Sequence, residues 1–423
     1  MATHAATNTR RMLLSRLLDA RVATDELFAM VRPEAMYDRP IPQRHRIVFY
    51  VGHLEAFDWN LFGGPCGLAR FHPEFDRLFA FGIDPVGGGL PSDQPHDWPR
   101  LQDVERYRDR VRQTLDHVLE TAPAPDDGEG AFGQLLHVAI EHRLMHAETL
   151  AYMFHQLPFE RKGGVAAHVL QGTPVTSDGV CVPAGCATLG QCRDSGAFGW
   201  DNEYEAQTVD VPDFTIDRYK VTNRQFLQFL NAGGYTNRAL WAAADWEWKV
   251  AQKISHPVFW VRRGNGWAWR SMFDEIPLPL DWPVYASHAE ASAYARWAGK
   301  YLPTEAQWHR AAHGLDERPS VRSHSVAWDP APVNARALGV SASGVVGLLA
   351  NGWEWTATEF APFPGFRPFA HYPRYSAPFF DGQHYVLKGG SVRTAACMLR
   401  RSFRNWFQPH YQYVYAGFRC VTD

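Results

Sequence analysis

The stretch Glu141-His-Arg-Leu-Met-His-Ala-Glu148 carries two imidazoles four residues apart. On a helix that spacing is one turn, so His142 and His146 project from the same face. The apolar pattern around them predicts a helix from about Ala131 to about Gln156, stopped by Pro158. A third imidazole, His53, sits far upstream in another segment of helical periodicity. Three nitrogens from two neighbouring helices would make a facial set that holds a first-row metal and leaves coordination positions open. A helical bundle built around a metal is the expectation for this part of the chain.

Working outward, three more helices are predicted. One begins near residue 9, with Leu13, Leu14, Leu17, Leu18 and Val22 at helical spacing, and closes at Pro33. A second runs from about Gln43 to Leu61, with Ile47, Val48, Val51, Leu54 and Phe57 on its apolar side. A third spans about Val104 to Thr121 and ends before Pro123 and an Asp-Asp-Gly-Glu-Gly loop. Long helices joined by turns predict an antiparallel four-helix bundle over residues 1–162. After Arg161-Lys-Gly-Gly the texture changes: Gly and Pro become frequent, and short apolar runs alternate with turn residues. Only Asn223 to Asn231 and His288 to Ala298 read as helices there. Residues 163–423 are expected to form one large, irregular α+β domain, because 423 residues exceed one ordinary core.

The formal net charge is -3 with no basic run, which argues against nucleic acid or an anionic membrane as a partner. Aromatic residues make up 14%, with 16 Trp, and only 21% of residues are charged, as in compact, loop-rich domains. Six cysteines form no disulfide framework, and Cys181, Cys186 and Cys192 match no zinc spacing, so they read as ordinary thiols. Ser15-Arg16 interrupts the Met12-Leu-Leu run before a signal-length apolar core forms. No run approaches the ~18 apolar residues of a membrane span. The expectation is a soluble cytoplasmic protein acting on small molecules.

The second half carries a series of blocks: Phe198-Gly-Trp-Asp-Asn-Glu203, Val221-Thr-Asn-Arg-Gln-Phe226, Gly233-Gly-Tyr235, Pro283-Val284, Trp297-Ala-Gly-Lys-Tyr-Leu-Pro-Thr-Glu305 with Trp308, Asn351-Gly-Trp-Glu-Trp-Thr356, Lys388-Gly-Gly-Ser391 and Gly417-Phe-Arg-Cys420. In order and spacing they resemble the domain of the formylglycine-generating enzyme family (sulfatase-modifying factor), a variant of the C-type lectin fold. Most of these residues read as architectural. The resemblance implies a possible structural calcium at Glu354. The formylglycine-generating activity needs a reactive cysteine pair, and Cys397 and Cys420 do not have its spacing.

Joined to a bundle with one upstream histidine and a His-x3-His-x-Glu helix, this domain resembles the sulfoxide synthases of ergothioneine and ovothiol biosynthesis, more closely their selenoneine-forming branch. The resemblance spans nearly the whole chain and makes the helical half a DinB-like bundle. It implies that His53, His142 and His146 bind Fe(II), that O2 is a co-substrate, and that a sulfur or selenium donor is joined oxidatively to the imidazole carbon of hercynine. It also implies that Asn405 and Trp406 contact hercynine, with Met145 where some relatives place a glutamine. A tyrosine serving the oxygen chemistry is implied too, with Tyr375, Tyr411 and Tyr413 as candidates. Glu55, Glu141 and Glu148 are candidates to orient the imidazoles.

The chain departs from the pattern of members that use γ-glutamylcysteine. Those members clamp the anionic donor with arginines and an aspartate. Here residues 78–99, Phe81-Gly-Ile-Asp-Pro-Val-Gly-Gly-Gly89 included, contain no Arg or Lys, and Asn405-Trp-Phe-Gln-Pro-His-Tyr411 has Phe407 for the aspartate and Tyr411 for the arginine. A carboxylate buried without a cation costs several kcal/mol. The remaining surface of Trp406, Phe407, Gln408, His410, Tyr411 and Tyr413 suits an uncharged, hydroxyl-rich donor such as a selenosugar. A shifted Arg401 or Arg404 supplying the charge is the competing reading. A zinc-dependent thiol transferase and a non-enzymatic binding module are the other classes.

Overall fold

The computed structural model describes residues 2–80, 90–121, 129–165, 170, 172–176, 178–315, 327–335 and 338–422. The glycine-rich segment 81–89 singled out above lies outside the described residues, as does most of the acidic loop after Thr121. Two compact units result, Met1–Val165 and Ala166–Asp423.

The first unit is helical: α1 (Ala2–Met30), α2 (Ile47–Gly63), a short α3 (Pro73–Leu78), α4 (Leu101–Thr121) and α5 (Glu129–Gln156). Helix α4 shows why a surface helix forms here. Val104, Tyr107, Val111, Leu115 and Leu119 are buried at three- and four-residue intervals while charged residues fill the other face. Helix α2 is buried nearly all round, which makes it central. It packs along α4 and α5, and α1 packs along α5. The helix starts at Ile47, later than expected, because Arg46 is held in extended backbone while its guanidinium bonds the Tyr37 carbonyl (2.7 Å) and Asp93 (3.0 Å). The six-residue α3 was not anticipated; Pro73 and the His72 imidazole, which accepts from Phe75 N, start it too briefly for a periodic signal. At the far end, the Lys162 ammonium closes α5 by donating to the carbonyls of Phe154 (2.5 Å) and His155 (3.2 Å).

The second unit mixes short strands and helices. In chain order these are β1 (Gly179–Val182), β2 (Gly185–Leu189), β3 (Gln207–Val211), β4 (Phe214–Asp217), α6 (Asn223–Asn231), α7 (Ala243–Ala251), β5 (Trp260–Arg263), β6 (Gly266–Arg270), β7 (Glu275–Pro277), α8 (His288–Trp297), α9 (Glu305–Ala311), β8 (Gly352–Glu359), β9 (Tyr385–Gly390), β10 (Asn405–Phe407), β11 (Ala416–Gly417) and β12 (Val421–Thr422). The central sheet has the order β10-β9-β8-β11, with smaller sheets β1-β4-β12, β2-β3 and β5-β6-β7. Helices α7 and α9 add to the two predicted. For α9 the signal was present: Thr304 and Gln307 form a capping box.

The signature blocks have a common physical purpose. They supply three buried carboxylates, each closed by cations from distant loops. Glu203 takes Arg400 (2.6 and 2.9 Å) and the Ser402 hydroxyl (2.7 Å). Glu305 takes Arg404 (3.0 and 3.1 Å). Glu354 takes Arg419 through both oxygens (2.7 and 2.8 Å) and the Lys220 ammonium (2.8 Å). The last cluster corrects the calcium expectation. Lys220 Nζ also donates to the carbonyls of Gly347 (2.6 Å) and Ala350 (2.9 Å), so two cations already neutralise the glutamate on which that expectation rested. Residue Gly389 of the Lys-Gly-Gly-Ser block has φ +89°, and a Cβ there would lie 2.2 Å from the Leu348 carbonyl oxygen, so only glycine fits.

Candidate metal centre

Arg143 fixes how α5 meets α2. Its fully buried guanidinium donates to Glu55 (3.0 Å), Asp58 (2.7 Å) and the Leu54 carbonyl (3.1 Å). Glu55 in turn receives Arg112 of α4 (2.8 and 3.0 Å), which also grips Asp25 of α1 (2.6 and 2.8 Å). Of the three glutamates offered as orienting groups, Glu55 therefore has a resolved task, binding the helices together. With the register set, His53 faces His142 and His146.

The three imidazoles meet through their Nε2 atoms. His146 Nε2 lies 3.2 Å from that of His53 and 3.2 Å from that of His142. One donor atom from each falls within 4.8 Å of the others, and all three side chains are buried. His53 Nδ1–H donates to the Phe79 carbonyl (2.6 Å), which leaves a lone pair on Nε2 of the neutral ring. Aromatic rings hold the imidazole planes: Phe49 stacks on His53 (4.9 Å, 20°) and Phe57 on His142 (3.4 Å, 11°).

Burial is the main cause that holds His53 down to about 4, opposed by its bond to Phe79. His142 and His146 lie well below the ordinary imidazole range, first through burial and then through the charges of neighbouring histidines and arginines. The set at neutral pH is three neutral nitrogens. The His53 lone pair on Nε2 faces His146 Nε2 at 3.2 Å, and three neutral imidazole nitrogens gathered this closely are a donor set that fits a divalent first-row metal.

The bond that orients His53 depends on a glycine. A Cβ on Gly52 would come 2.6 Å from the Phe79 ring, so the close approach of Phe79 requires its absence. Gly52→Ala should displace Phe79, release His53 Nδ1 and weaken metal binding ~10–100-fold. Cobalt(II) titration followed by ligand-field absorption checks this; unchanged affinity would show that the Phe79 carbonyl does not orient the ligand.

The second-unit candidates divide into three groups. Trp406 stacks on Phe360 (4.3 Å, 7°) and meets Tyr375 edge-on (5.2 Å, 79°). Tyr375 stacks on Trp200 (3.9 Å, 23°), and the next residue, Ser376, donates its hydroxyl to Asp201. Burial pushes the Asp201 carboxyl up to about 6, against the bond from Ser376. Strand alternation turns Asn405 and Phe407 away from the Trp406 face. Phe407 instead stacks on Tyr411 (4.9 Å, 8°), and Tyr411 meets Tyr413 edge-on (5.7 Å, 72°). His410 stands apart, bonded to Asp245 (2.9 Å) and stacked on Trp248 (4.6 Å, 1°). Gln408 is exposed, and Met145 is half-buried on α5. Asp245, Trp248 and Trp200 were not foreseen, since their partners lie far away in sequence. Arg404 is fully committed to Glu305 and to the carbonyls of Asn202 and Ala361, which removes it as a substitute donor clamp.

A buried three-histidine centre on a helical bundle, followed by a lectin-like unit braced by buried ion pairs, defines the class of molecule. Residues 16–150 match the DinB superfamily and residues 167–423 the sulfatase-modifying factor enzyme 1-like domain. A hercynine oxygenase of Mycolicibacterium thermoresistibile is 33% identical, with 100% of this chain and 97% of that protein covered. One from Mycolicibacterium smegmatis is also 33% identical, over 88% of this chain and 89% of that protein. Ergothioneine biosynthesis protein 1 of Schizosaccharomyces pombe is 28% identical over 93% of this chain and 54% of its own length. The chain belongs to the hercynine oxygenase family. Among the described residues no helix is long and apolar enough to cross a membrane.

Proposed function

We propose that this chain is an Fe(II)- and O2-dependent enzyme that joins a selenosugar to hercynine through a C–Se bond, a selenoneine synthase. The observation that carries the metalloenzyme part is the buried convergence of three neutral imidazole nitrogens. Iron(II) held by His53, His142 and His146 would supply redox chemistry with O2 and affinity for a soft sulfur or selenium donor. The protein's part is to hold those imidazoles neutral and correctly turned, through burial, the Phe79 carbonyl and the flanking rings.

In this reading Trp406 contacts hercynine, whose trimethylammonium head is attracted to an aromatic face, while Asn405, turned to the other face of β10, and Met145, on α5 of the first unit, are the remaining candidates for that recognition. Tyr375, Tyr411 and Tyr413 are the candidates for moving a proton or electron. Tyr411 and Tyr413 are coupled edge to face, whereas Tyr375 is held between Trp200 and Trp406. The choice of donor is supported by the apolar Phe407–Tyr411 stack and by the commitment of Arg404 to Glu305, which removes one of the two arginines offered as a substitute clamp for a γ-glutamyl carboxylate.

A second reading, an ergothioneine-type synthase forming a C–S bond with a thiol such as γ-glutamylcysteine, is favoured by the names of the relatives. Fe(II)-reconstituted protein supplied with hercynine, O2 and equimolar 1-selenoglucose and γ-glutamylcysteine separates the two. Mass spectrometry should find the selenium adduct in excess. A predominance of the γ-glutamyl adduct would establish the second reading instead.

A further inference from the structure

We propose that an open cleft between α3, the first half of α4 and the Asp97–Pro99 segment binds an aromatic zwitterion of amino-acid type and is coupled through Phe79 to the metal centre. The cleft encloses about 780 Å³, a volume ordinary for a small-molecule site, and lies wholly within the first unit. Phe71, Phe75, Trp98 and Tyr107 form its aromatic wall, and Phe71 is 38% exposed, so ring surface is open to a ligand. Of the charged side chains lining it, three are already engaged. Asp103 is held by Arg106 and by Arg100 (3.2 Å), and Asp97 accepts the Gln94 N–H (2.7 Å). Arg110 and Glu74 remain, one on α4 and one on α3, both exposed and neither in an ion pair among the described residues. The Arg110 guanidinium lies 6.0 Å from the centre of the Phe71 ring. A ligand with a carboxylate for Arg110, an ammonium for Glu74 and a ring for Phe71 complements all three.

The same wall touches the residue that orients His53. Phe79 packs against Phe75 (5.3 Å), Tyr107 (6.2 Å) and Trp98 (6.3 Å), and its carbonyl accepts the His53 Nδ1–H. The wall is anchored: the Tyr107 hydroxyl donates to Asp76 (2.8 Å) and Trp98 Nε1–H to Asp93 (2.6 Å). A ligand packed on these rings restricts Phe79 and so holds its carbonyl on His53. A second ligand binding to a site already ordered by the first incurs less ordering cost. Metal and zwitterion should therefore tighten each other, and by the same factor, because coupling between two sites is reciprocal.

The test is calorimetric titration of L-phenylalanine into the full-length protein, metal-free and loaded with cobalt(II), whose uptake is followed by ligand-field absorption. Metal-free protein should bind the amino acid, and cobalt should tighten that binding at least about fivefold, the lower end of the usual range of couplings. Arg110→Ala and Glu74→Gln should each weaken it about five- to tenfold, the scale of one charge-assisted hydrogen bond near the surface. Both side chains are exposed, so thermal midpoints should stay within a few degrees of wild type. No binding to wild type, or an unchanged affinity in either variant, would overturn the site. Equal affinity in the two metal states, or no uptake of cobalt, would overturn the coupling. None of these outcomes depends on which donor the enzyme uses.

Discussion

His146→Ala should abolish stoichiometric Fe(II) binding while leaving the fold of the metal-free protein intact. His146 is the hub of the triad, with its Nε2 3.2 Å from both other donor atoms. Removing it leaves two imidazoles and breaks the facial set. The loss of affinity should exceed the ~10–100-fold that follows removal of a mere supporting partner. The effect on the metal-free fold should be small, because the substitution also relieves three neutral rings crowded without a cation. Wild-type protein with iron at about 100 times its dissociation constant gains ~2.7 kcal/mol of stability, seen as a rise in thermal midpoint. The variant should show no such rise, and activity should fall to background. A variant that still gains stability from iron would move the metal elsewhere.

Arg143→Met should be the most destabilising single change in the bundle. The guanidinium and both its carboxylate partners are at most 1% exposed. Removing the cation leaves Glu55 and Asp58 buried together, a loss of ~3–5 kcal/mol in urea unfolding at neutral pH. The pH dependence follows from Glu55. Burial alone would raise its carboxyl, but the charges of Arg143 and Arg112 outweigh that and hold it at about 2, against an ordinary 4.5. A depressed carboxyl contributes stability that is present above its unfolded value and lost as pH falls through the folded one. The gap between wild type and variant should therefore be widest above about pH 4.5 and narrow toward pH 2. Asp58 does not enlarge that gap at low pH, since burial and the nearby Glu55 hold it above its ordinary range. A gap independent of pH would mean that Arg143 acts by packing alone. Iron affinity should weaken too, because the same guanidinium sets the register that turns His53 toward α5.

Much of this could be read from the residues, for identifiable reasons. A His-x3-His pair on a strongly periodic segment declares both its helix and its face. Trp-Glu-Trp and Lys-Gly-Gly-Ser declare the second unit because buried ion pairs and left-handed glycines tolerate few substitutes. What stayed hidden depends on partners distant in sequence. Lys220 and Glu354 gave no sign that an ammonium would stand where a calcium was expected, since 134 residues separate them. Nothing near Gly52 announced that Phe79 would close over it to orient His53. The placement of His410 on Asp245 likewise needed α7, a helix with a weak sequence pattern. Trp406 and Phe407 are neighbours in the chain, yet strand alternation sends them to opposite faces, a separation that a list of candidate residues cannot express.

The most direct test of the central claim is oxygen uptake by Fe(II)-loaded protein in an oxygen electrode, with hercynine and a selenosugar or thiol added singly and together. Rapid uptake only when hercynine and the donor are both present, matched by loss of hercynine and absent in His146→Ala, is the predicted result. Consumption of hercynine at the same rate under argon, or with zinc in place of iron, would contradict it and identify a metal-dependent transferase.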